Sequence, residues 1–290
     1  MKNILKMELN KGIKNKFFVL SIAIGVFIAV WGFLYNYYSY TDQIELMESL
    51  KLKDPSFLKD FVAERTVFNS WIGGEAFSLA SVIYFFVFPI LIAIPYGWSY
   101  AEEKNSGYVK NIVVKTGKKN YFFAKYISVF ITGGLAMVLP LILNFLMIML
   151  FIPSITPLPE YLTSYGVVGG DIMAKLYYTK PFLYVFLYLC VDFLYCGILA
   201  CISLAATSFI KQKWAVVIIP FFYCLAIEFS TKFVYTNLET SYKEISPFYF
   251  LKPVTGRYQG SWIIILVSGF LILTATLGIT MVLERKREIY

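Results

Sequence analysis

FFVLSIAIGVFIAVWGFLYNYY, residues 17–38, is the stretch that decides the fold, because it carries no charged residue. A helix rises about 1.5 Å per residue, so about 20 apolar residues span the roughly 30 Å hydrocarbon core of a bilayer. A basic segment precedes this stretch, as in a secretory signal peptide, but it is longer than a signal-peptide core and lacks a small-residue cleavage site. We therefore predict a retained membrane-spanning helix.

Five further windows of the chain are similarly long and apolar. They are residues 77–100, 126–152, 181–210, 214–233 and 262–283. Backbone polar groups in lipid must be satisfied within the spanning segment, which favours helices over isolated strands. The sequence thus predicts an all-α integral membrane protein with six transmembrane helices, forming a single transmembrane domain over residues 1–290.

The composition argues against a soluble enzyme. Hydrophobic residues make up 59% of the chain and charged residues only 15%, below the quarter that a soluble domain normally has. Histidine is absent, which removes Ser–His and Cys–His nucleophile pairs and the commonest zinc ligand. The four cysteines lie inside apolar runs and are expected to be reduced thiols. We predict no catalytic residue and no metal site.

The distribution of positive charge predicts the topology. Residues 1–16, 102–125, 211–213 and 284–290 contain 16 of the 26 lysine and arginine residues. An even number of spans places these four segments on one side, and the positive-inside rule makes that side cytoplasmic. Both termini are therefore expected in the cytoplasm. The net charge of +8 is a topology signal with affinity for anionic membrane lipids, and we expect no nucleic-acid partner.

Residues 1–16 show a helical repeat of apolar side chains. Leu5, Leu9 and Ile13 are spaced by four residues and share one face, while lysines occupy another. This pattern is typical of an amphipathic helix lying on the inner membrane surface. A plain basic anchor for the first span is the alternative, and the pattern alone does not separate the two.

Residues 102–125 lie between the second and third predicted spans. Ser106 is a candidate cap for a short helix and Gly117 a candidate end. Within it, one face carries Tyr108 and Ile112 and a neighbouring face carries Val109 and Val113; we refer to these four residues as the apolar ridge. An exposed ridge of this kind suits the groove of a partner protein. The alternative is a basic loop resting on lipid headgroups.

This segment resembles the coupling helix of the membrane subunits of type-2 ABC exporters. The resemblance rests on Glu103 four residues before Gly107, on the ridge, and on Lys118, Lys119 and Lys125. Thr116 or Gly117 stands where the family has proline, and lysine replaces its arginine. The resemblance implies a helix that docks on a separate ATPase subunit. The coupling residues implied are Glu102, Glu103, Gly107, Tyr108, Val109, Ile112, Val113, Lys118 and Lys119.

The same resemblance extends over most of the chain. It implies that residues 1–16, with Leu5, Leu9 and Ile13, form the family's connecting helix. Ser246-Pro247-Phe248 resembles a Ser-Pro-Phe stretch that the family has between spans five and six, and an ordinary outer loop is the alternative. The chain has no phosphate-binding loop of its own, so ATP and Mg²⁺ are expected in the partner. A second permease subunit, identical or related, is implied. The 22 lysines against four arginines fit an AT-rich bacterial genome, hence a bacterial plasma membrane.

Two acids lie within predicted spans. Asp192 is near the centre of the fourth and Glu228 is within the fifth, where charge is costly. They lie on a translocation path or subunit interface, or they are bonded within the chain, Asp192 to neighbouring Tyr, Ser or Thr hydroxyls and Glu228 to Lys232. The function expected is an ATP-driven exporter of an amphipathic or hydrophobic cargo (a peptide, an antibiotic or a lipid). The alternative is a stand-alone secondary transporter, or an immunity or sensor component, without an ATPase.

Overall fold

A computed structural model describes residues 1–53, 65–75, 78–159, 167, 170–234, 242–254 and 258–283. Position 77, which opens the predicted second span, and the predicted basic tail 284–290 lie outside these residues. Within them the regular structure is helical, and no β-strand is formed. The helices are α1 Lys2–Ile13, α2 Lys16–Lys53, α3 Val67–Ser70, α4 Leu79–Ala93, α5 Ser99–Asn105, α6 Tyr108–Thr116, α7 Lys118–Met149, α8 Ala174–Thr179, α9 Pro181–Ala206, α10 Lys213–Val234, α11 Pro247–Phe250 and α12 Trp262–Gly278, which continues as a π-helical turn Ile279–Leu283.

Five helices are long and apolar enough to cross a membrane: α2, α7, α9, α10 and α12. These helices make the chain a multi-pass membrane protein. They correspond to the predicted spans 17–38, 126–152, 181–210, 214–233 and 262–283. Two of them exceed the predicted bounds, since α2 continues to Lys53 and α7 begins at Lys118.

The second predicted span, 77–100, is not confirmed. The helix in this region, α4, has 15 residues, which at about 1.5 Å per residue is shorter than a bilayer core. It ends at Ala93, and the chain turns over residues 94–98 before α5 begins. Pro95 lies in that turn; proline has no N–H to donate and disfavours helix at the residue before it, which accounts for the early end.

Helix α7 is the centre of the bundle and packs against α1, α2, α4 and α9. Glycines permit its close approach to α9. A Cβ at Gly133 would lie 2.4 Å from the Cβ of Ala200, and one at Gly197 would lie 2.8 Å from the carbonyl oxygen of Phe130. Small residues at such crossings let two membrane helices meet backbone to backbone.

Two short helices, α3 and α11, pack into the bundle. We call the end that holds α1, α5 and α6 the basal end, and the other the distal end. Towards the distal end, the segment around α3 is buried, and Asn144 of α7 fixes it by accepting a hydrogen bond from the Ile72 N–H (2.9 Å) and donating one to the Ala29 carbonyl (2.8 Å). Helix α11 begins at Pro247 and buries Phe248 against Phe86 and Phe221.

Candidate functional site: a basal cluster of ion pairs

A group of charged and phenolic side chains joins three helices at the basal end. We call it the basal cluster. Its members are Glu8 and Lys11 of α1, Tyr96 of the turn before α5, Glu103 of α5, and Tyr121 and Lys125 of α7.

The four charges form a closed square. Lys125 Nζ lies 2.8 Å from Glu8 Oε2 and 2.7 Å from Glu103 Oε2. On the opposite corner, Lys11 Nζ lies 3.3 Å from Glu8 Oε1 and 3.2 Å from Glu103 Oε1. Each carboxylate therefore binds both ammonium groups, and the square is neutral as a whole.

Two tyrosine hydroxyls complete the cluster. Tyr96 donates to Glu8 Oε2 at 2.8 Å and accepts from Lys125 Nζ at 3.0 Å. Tyr121 donates to Glu103 Oε2. Lys11 also lies over the ring of Tyr108, with 4.0 Å from Nζ to the ring centroid, which brings α6 into the same arrangement.

Two charged groups of the square are fully buried, so each of them must be paired. The side chains of Glu8 and Lys125 are fully buried, and that of Glu103 is 16% exposed. Removing charges from water costs several kcal/mol per ion, and the mutual attraction repays this only when each group is well paired. The square therefore specifies one arrangement of α1, α5 and α7, because any shift of one helix would leave a buried charge without its partner.

The protonation states follow from the same contacts. Burial alone would raise the pKa of the Glu8 carboxyl, but the charge and hydrogen bond of Lys125, the Tyr96 hydroxyl and the Lys11 charge outweigh it and hold the pKa below its ordinary value. Burial would lower the pKa of the Lys11 amine, but its interactions with Tyr108, Glu103 and Glu8 raise it above its ordinary value. Glu8 and Lys11 therefore stay charged at neutral pH.

We expect the cluster to weaken in acid. The carboxyl of a glutamate ordinarily has a pKa of about 4.3, and the pKa of Glu8 in the folded protein is lower. Between these two pKa values the unfolded chain binds more protons than the folded chain. The free energy of unfolding therefore rises with pH across this range. The contribution of Glu8 is complete above about pH 4.3 and is lost as the pH falls through the folded value. Melting temperatures measured from acid to neutral pH should show a shallower acid slope for Glu8→Gln than for the native chain. Equal slopes would contradict the assignment.

Helix α1 is held against the protein by a face that the sequence did not indicate. Ile4, Glu8 and Gly12 are buried, and a Cβ at Gly12 would lie 2.9 Å from Cγ2 of Thr132 in α7. Leu5 and Leu9 are half-buried and Ile13 is exposed. The apolar positions predicted for the membrane surface, Leu5, Leu9 and Ile13, therefore lie beside the buried face that contacts α7.

Helix α6 forms between two glycines with positive φ. Gly107 (φ 74°) precedes it and Gly117 (φ 80°) ends it, and both conformations favour glycine over other residues. The end at Gly117 agrees with the sequence prediction. Ser106 was predicted to cap α6, but it instead follows the last residue of α5 and donates its hydroxyl to the Glu103 carbonyl.

The apolar ridge predicted on α6 is only partly exposed. Val109 is buried, and Ile112 and Val113 are half-buried against the core, because α6 folds back on α5 and α7 and buries its apolar face there. Its exposed face is mostly polar, with Val114 as the one strongly exposed apolar side chain of the helix, at 87%. We call this the α6 face; it consists of Lys110, Asn111, Val114 and Lys115.

The remaining predicted coupling residues lie beside the cluster. Glu102 and Lys119 are exposed, whereas Lys118 is half-buried at the start of α7. The structure does not bring the two acids of the spans to this site. Asp192 is buried within α9, inside the bundle and away from its lipid-facing surface, and Glu228 is half-buried in α10; the side chain of Lys232, its predicted partner, lies outside the described residues.

Sequence reasoning found Glu103 but missed Glu8, Lys11, Tyr96 and Tyr121. One signal was present, because Glu8 is the only acid among residues 1–16. In the described part of the chain, no group of three or more His, Cys, Asp or Glu residues could hold a metal ion. Comparison of the chain with family models, with curated proteins and with solved structures finds no match.

Proposed function

We propose that this chain is the membrane-spanning permease subunit of an ATP-driven ABC exporter. Five apolar helices of spanning length support a membrane role. The observation that carries the proposal is the basal cluster. The fully buried Lys125 near the start of α7 binds the fully buried Glu8 of α1 and the largely buried Glu103 of α5. A force applied to α5 and α6 would then reach a spanning helix without loss in a flexible loop.

The α6 face is the surface on which the ATPase subunit would dock. Its lysines and the protruding Val114 fit a groove that offers acidic groups around a small apolar pocket. The chain contains no phosphate-binding loop, so ATP and Mg²⁺ would be bound by that partner. The concentration of lysine near α1 and α6 supports a cytoplasmic basal end in a bacterial plasma membrane.

In this mechanism the basal cluster makes α1, α5 and α7 move as one body. Closure of two ATPase subunits around ATP would push on the α6 face of each permease, and α7 would turn against α9 at their close crossing. Two permease subunits would line the path between them, switching it between inward-open and outward-open states. An amphipathic or hydrophobic cargo (a peptide, an antibiotic or a lipid) suits a path bordered by such apolar helices.

Affinity purification in mild detergent tests the proposal. We expect the native chain to recover a protein that contains a phosphate-binding loop and hydrolyses ATP. Val114→Asp combined with Lys110→Glu should remove most of that protein, because the change opposes both the apolar and the charged contact. Lys211→Glu, at an exposed lysine of the loop between α9 and α10, is the matched control and should retain it. Recovery of a folded native chain without any ATPase would favour the stand-alone alternative.

A further inference from the structure

Asp192 is a fully buried acid in the middle of a spanning helix. It is the twelfth residue of the 26 in α9, and its exposed fraction is 0%. Both carboxyl oxygens lack a hydrogen-bond partner among the described residues. Buried polar groups in proteins are nearly always paired, so an acid with neither oxygen satisfied calls for an explanation.

Charge balance decides the form in which Asp192 is present. No lysine or arginine within the described residues pairs with it, and an ionised carboxylate without a partner in a low-dielectric interior costs far more than a neutral one. Asp192 therefore holds a proton in this conformation. A separation of the helices that admitted water would let that proton leave.

The groups that face Asp192 are weak acids and bear no charge. Tyr84 approaches from α4, with its hydroxyl bound to the Met137 carbonyl of α7, and Tyr188 and Cys196 lie one turn to either side on α9. Cys224 of α10 lies near Cys196. At this level α7 contributes Gly134 and Met137, and Ser268 of α12 is bonded to Tyr195. None of these groups would keep the carboxyl ionised.

A row of tyrosines connects Asp192 with the distal end. Tyr184, Tyr188 and Asp192 are spaced by four residues, so they share one face of α9. The ring centroids of Tyr184 and Tyr188 are 5.1 Å apart, those of Tyr177 and Tyr184 are 5.1 Å apart, and those of Tyr177 and Tyr178 are 5.0 Å apart. The row ends in α8, where Tyr178 is partly exposed and within electrostatic reach of Asp171. Phenol groups can both donate and accept hydrogen bonds. In this conformation the row is a series of ring contacts, and both Asp192 oxygens and the Tyr184 hydroxyl lack a hydrogen-bond partner among the described residues. A proton would therefore pass along the row when the phenols turn or water enters.

We propose that Asp192 is a proton-binding site in the centre of the membrane domain, reached from the distal end along Tyr178, Tyr177, Tyr184 and Tyr188. The carboxylate gains a proton from water at the distal end in one conformation and returns it to water in another, with no other bond made or broken. Transport by this chain would then be coupled to the proton concentration outside the basal compartment. The site is independent of the proposed ATPase.

Infrared difference spectroscopy of the purified full chain in lipid nanodiscs tests the site. At neutral pH, the native spectrum minus that of Asp192→Asn should contain the carbonyl band of one protonated carboxylic acid, which shifts in D₂O. Carboxylate bands in its place would show an ionised Asp192 and overturn the proposal. If Asp192→Asn does not fold, a pH titration of the native chain decides the same question, because a protonated carboxyl band must be present at neutral pH and disappear in base.

The route is tested by the rate at which that band shifts after transfer to D₂O. Tyr188→Phe keeps the ring and removes the hydroxyl, and it should slow the shift several-fold. Tyr195→Phe is the matched control, since Tyr195 lies on the same helix but binds Ser268 outside the row, and it should exchange at the native rate. A native rate in Tyr188→Phe, or equal slowing in both variants, would overturn the route. Neither measurement depends on an ATPase, so its outcome is separate from the exporter proposal.

Discussion

Replacing Lys125 with methionine is expected to lower the free energy of unfolding by about 3–5 kcal/mol, because it leaves buried carboxylates without their shared cation. Methionine keeps most of the length of the lysine side chain, so the loss reports on charge and hydrogen bonding. Lys125 binds Glu8, Glu103 and the Tyr96 hydroxyl at once. Thermal or denaturant unfolding in detergent measures the effect.

Two variants control this experiment. Lys119→Met removes an exposed lysine of the same helix and should change stability little. Adding Glu8→Gln to Lys125→Met removes one stranded charge and should restore part of the loss. The buried square would be contradicted if Lys125→Met unfolded like Lys119→Met, or if the second substitution made the protein less stable still.

The second large effect is expected at the crossing of α7 and α9. Gly133→Val should destabilise the protein by about 1–3 kcal/mol or more, because the new side chain must displace a helix. A Cβ at this position would lie 2.4 Å from the Ala200 Cβ and 3.1 Å from the Ile92 carbonyl oxygen, and neither can move without its backbone.

Gly278→Val is the matched control, since nothing lies within 4 Å of a Cβ built at that position. It should alter stability only by the small difference in helix propensity between glycine and valine. The measurement is the melting temperature of both variants in the same detergent. Equal melting temperatures would show that α7 and α9 do not meet as closely as described.

The sequence was sufficient to predict the helical membrane fold. The thickness of the hydrocarbon core sets the number of apolar residues that a spanning helix needs. Five of the predicted spans coincide with helices of that length. The second predicted span is not confirmed as one spanning helix, because a sum of hydrophobicity over residues 77–100 does not register where a helix stops. The stop is a local backbone effect near Pro95, which lies in the turn over residues 94–98.

The basal cluster could not have been predicted in the same way. Glu8 and Lys125 are 117 residues apart in the chain, and their pairing depends on the angle at which α1 lies against α7. Gly12 of α1 lies close to Thr132 of α7, and a close approach of this kind leaves no periodic signal in the sequence. For α6 the helical repeat correctly indicated an apolar face, but a repeat does not say whether that face meets a partner or the protein itself.

Burial of that face changes which residues a docking test should alter. Substitutions at Val109 or Val113 would disturb the packing of α6 on α5 and α7, so a loss of partner binding there could not be separated from a loss of structure. The α6 face can be altered without that difficulty. Its lysines and Val114 make no contribution to the buried core, so their effect on binding is direct.

Photocrosslinking from position 114 in living cells is the most direct test of the account. A photoreactive amino acid in place of Val114 should form an adduct with an ATP-binding protein, and the same amino acid in place of Lys211 should form much less of it. Labelling of position 114 by a reagent that cannot cross the membrane, together with no ATPase adduct, would contradict the account. The α6 face would then lie outside the cell, where no ATPase could act on it.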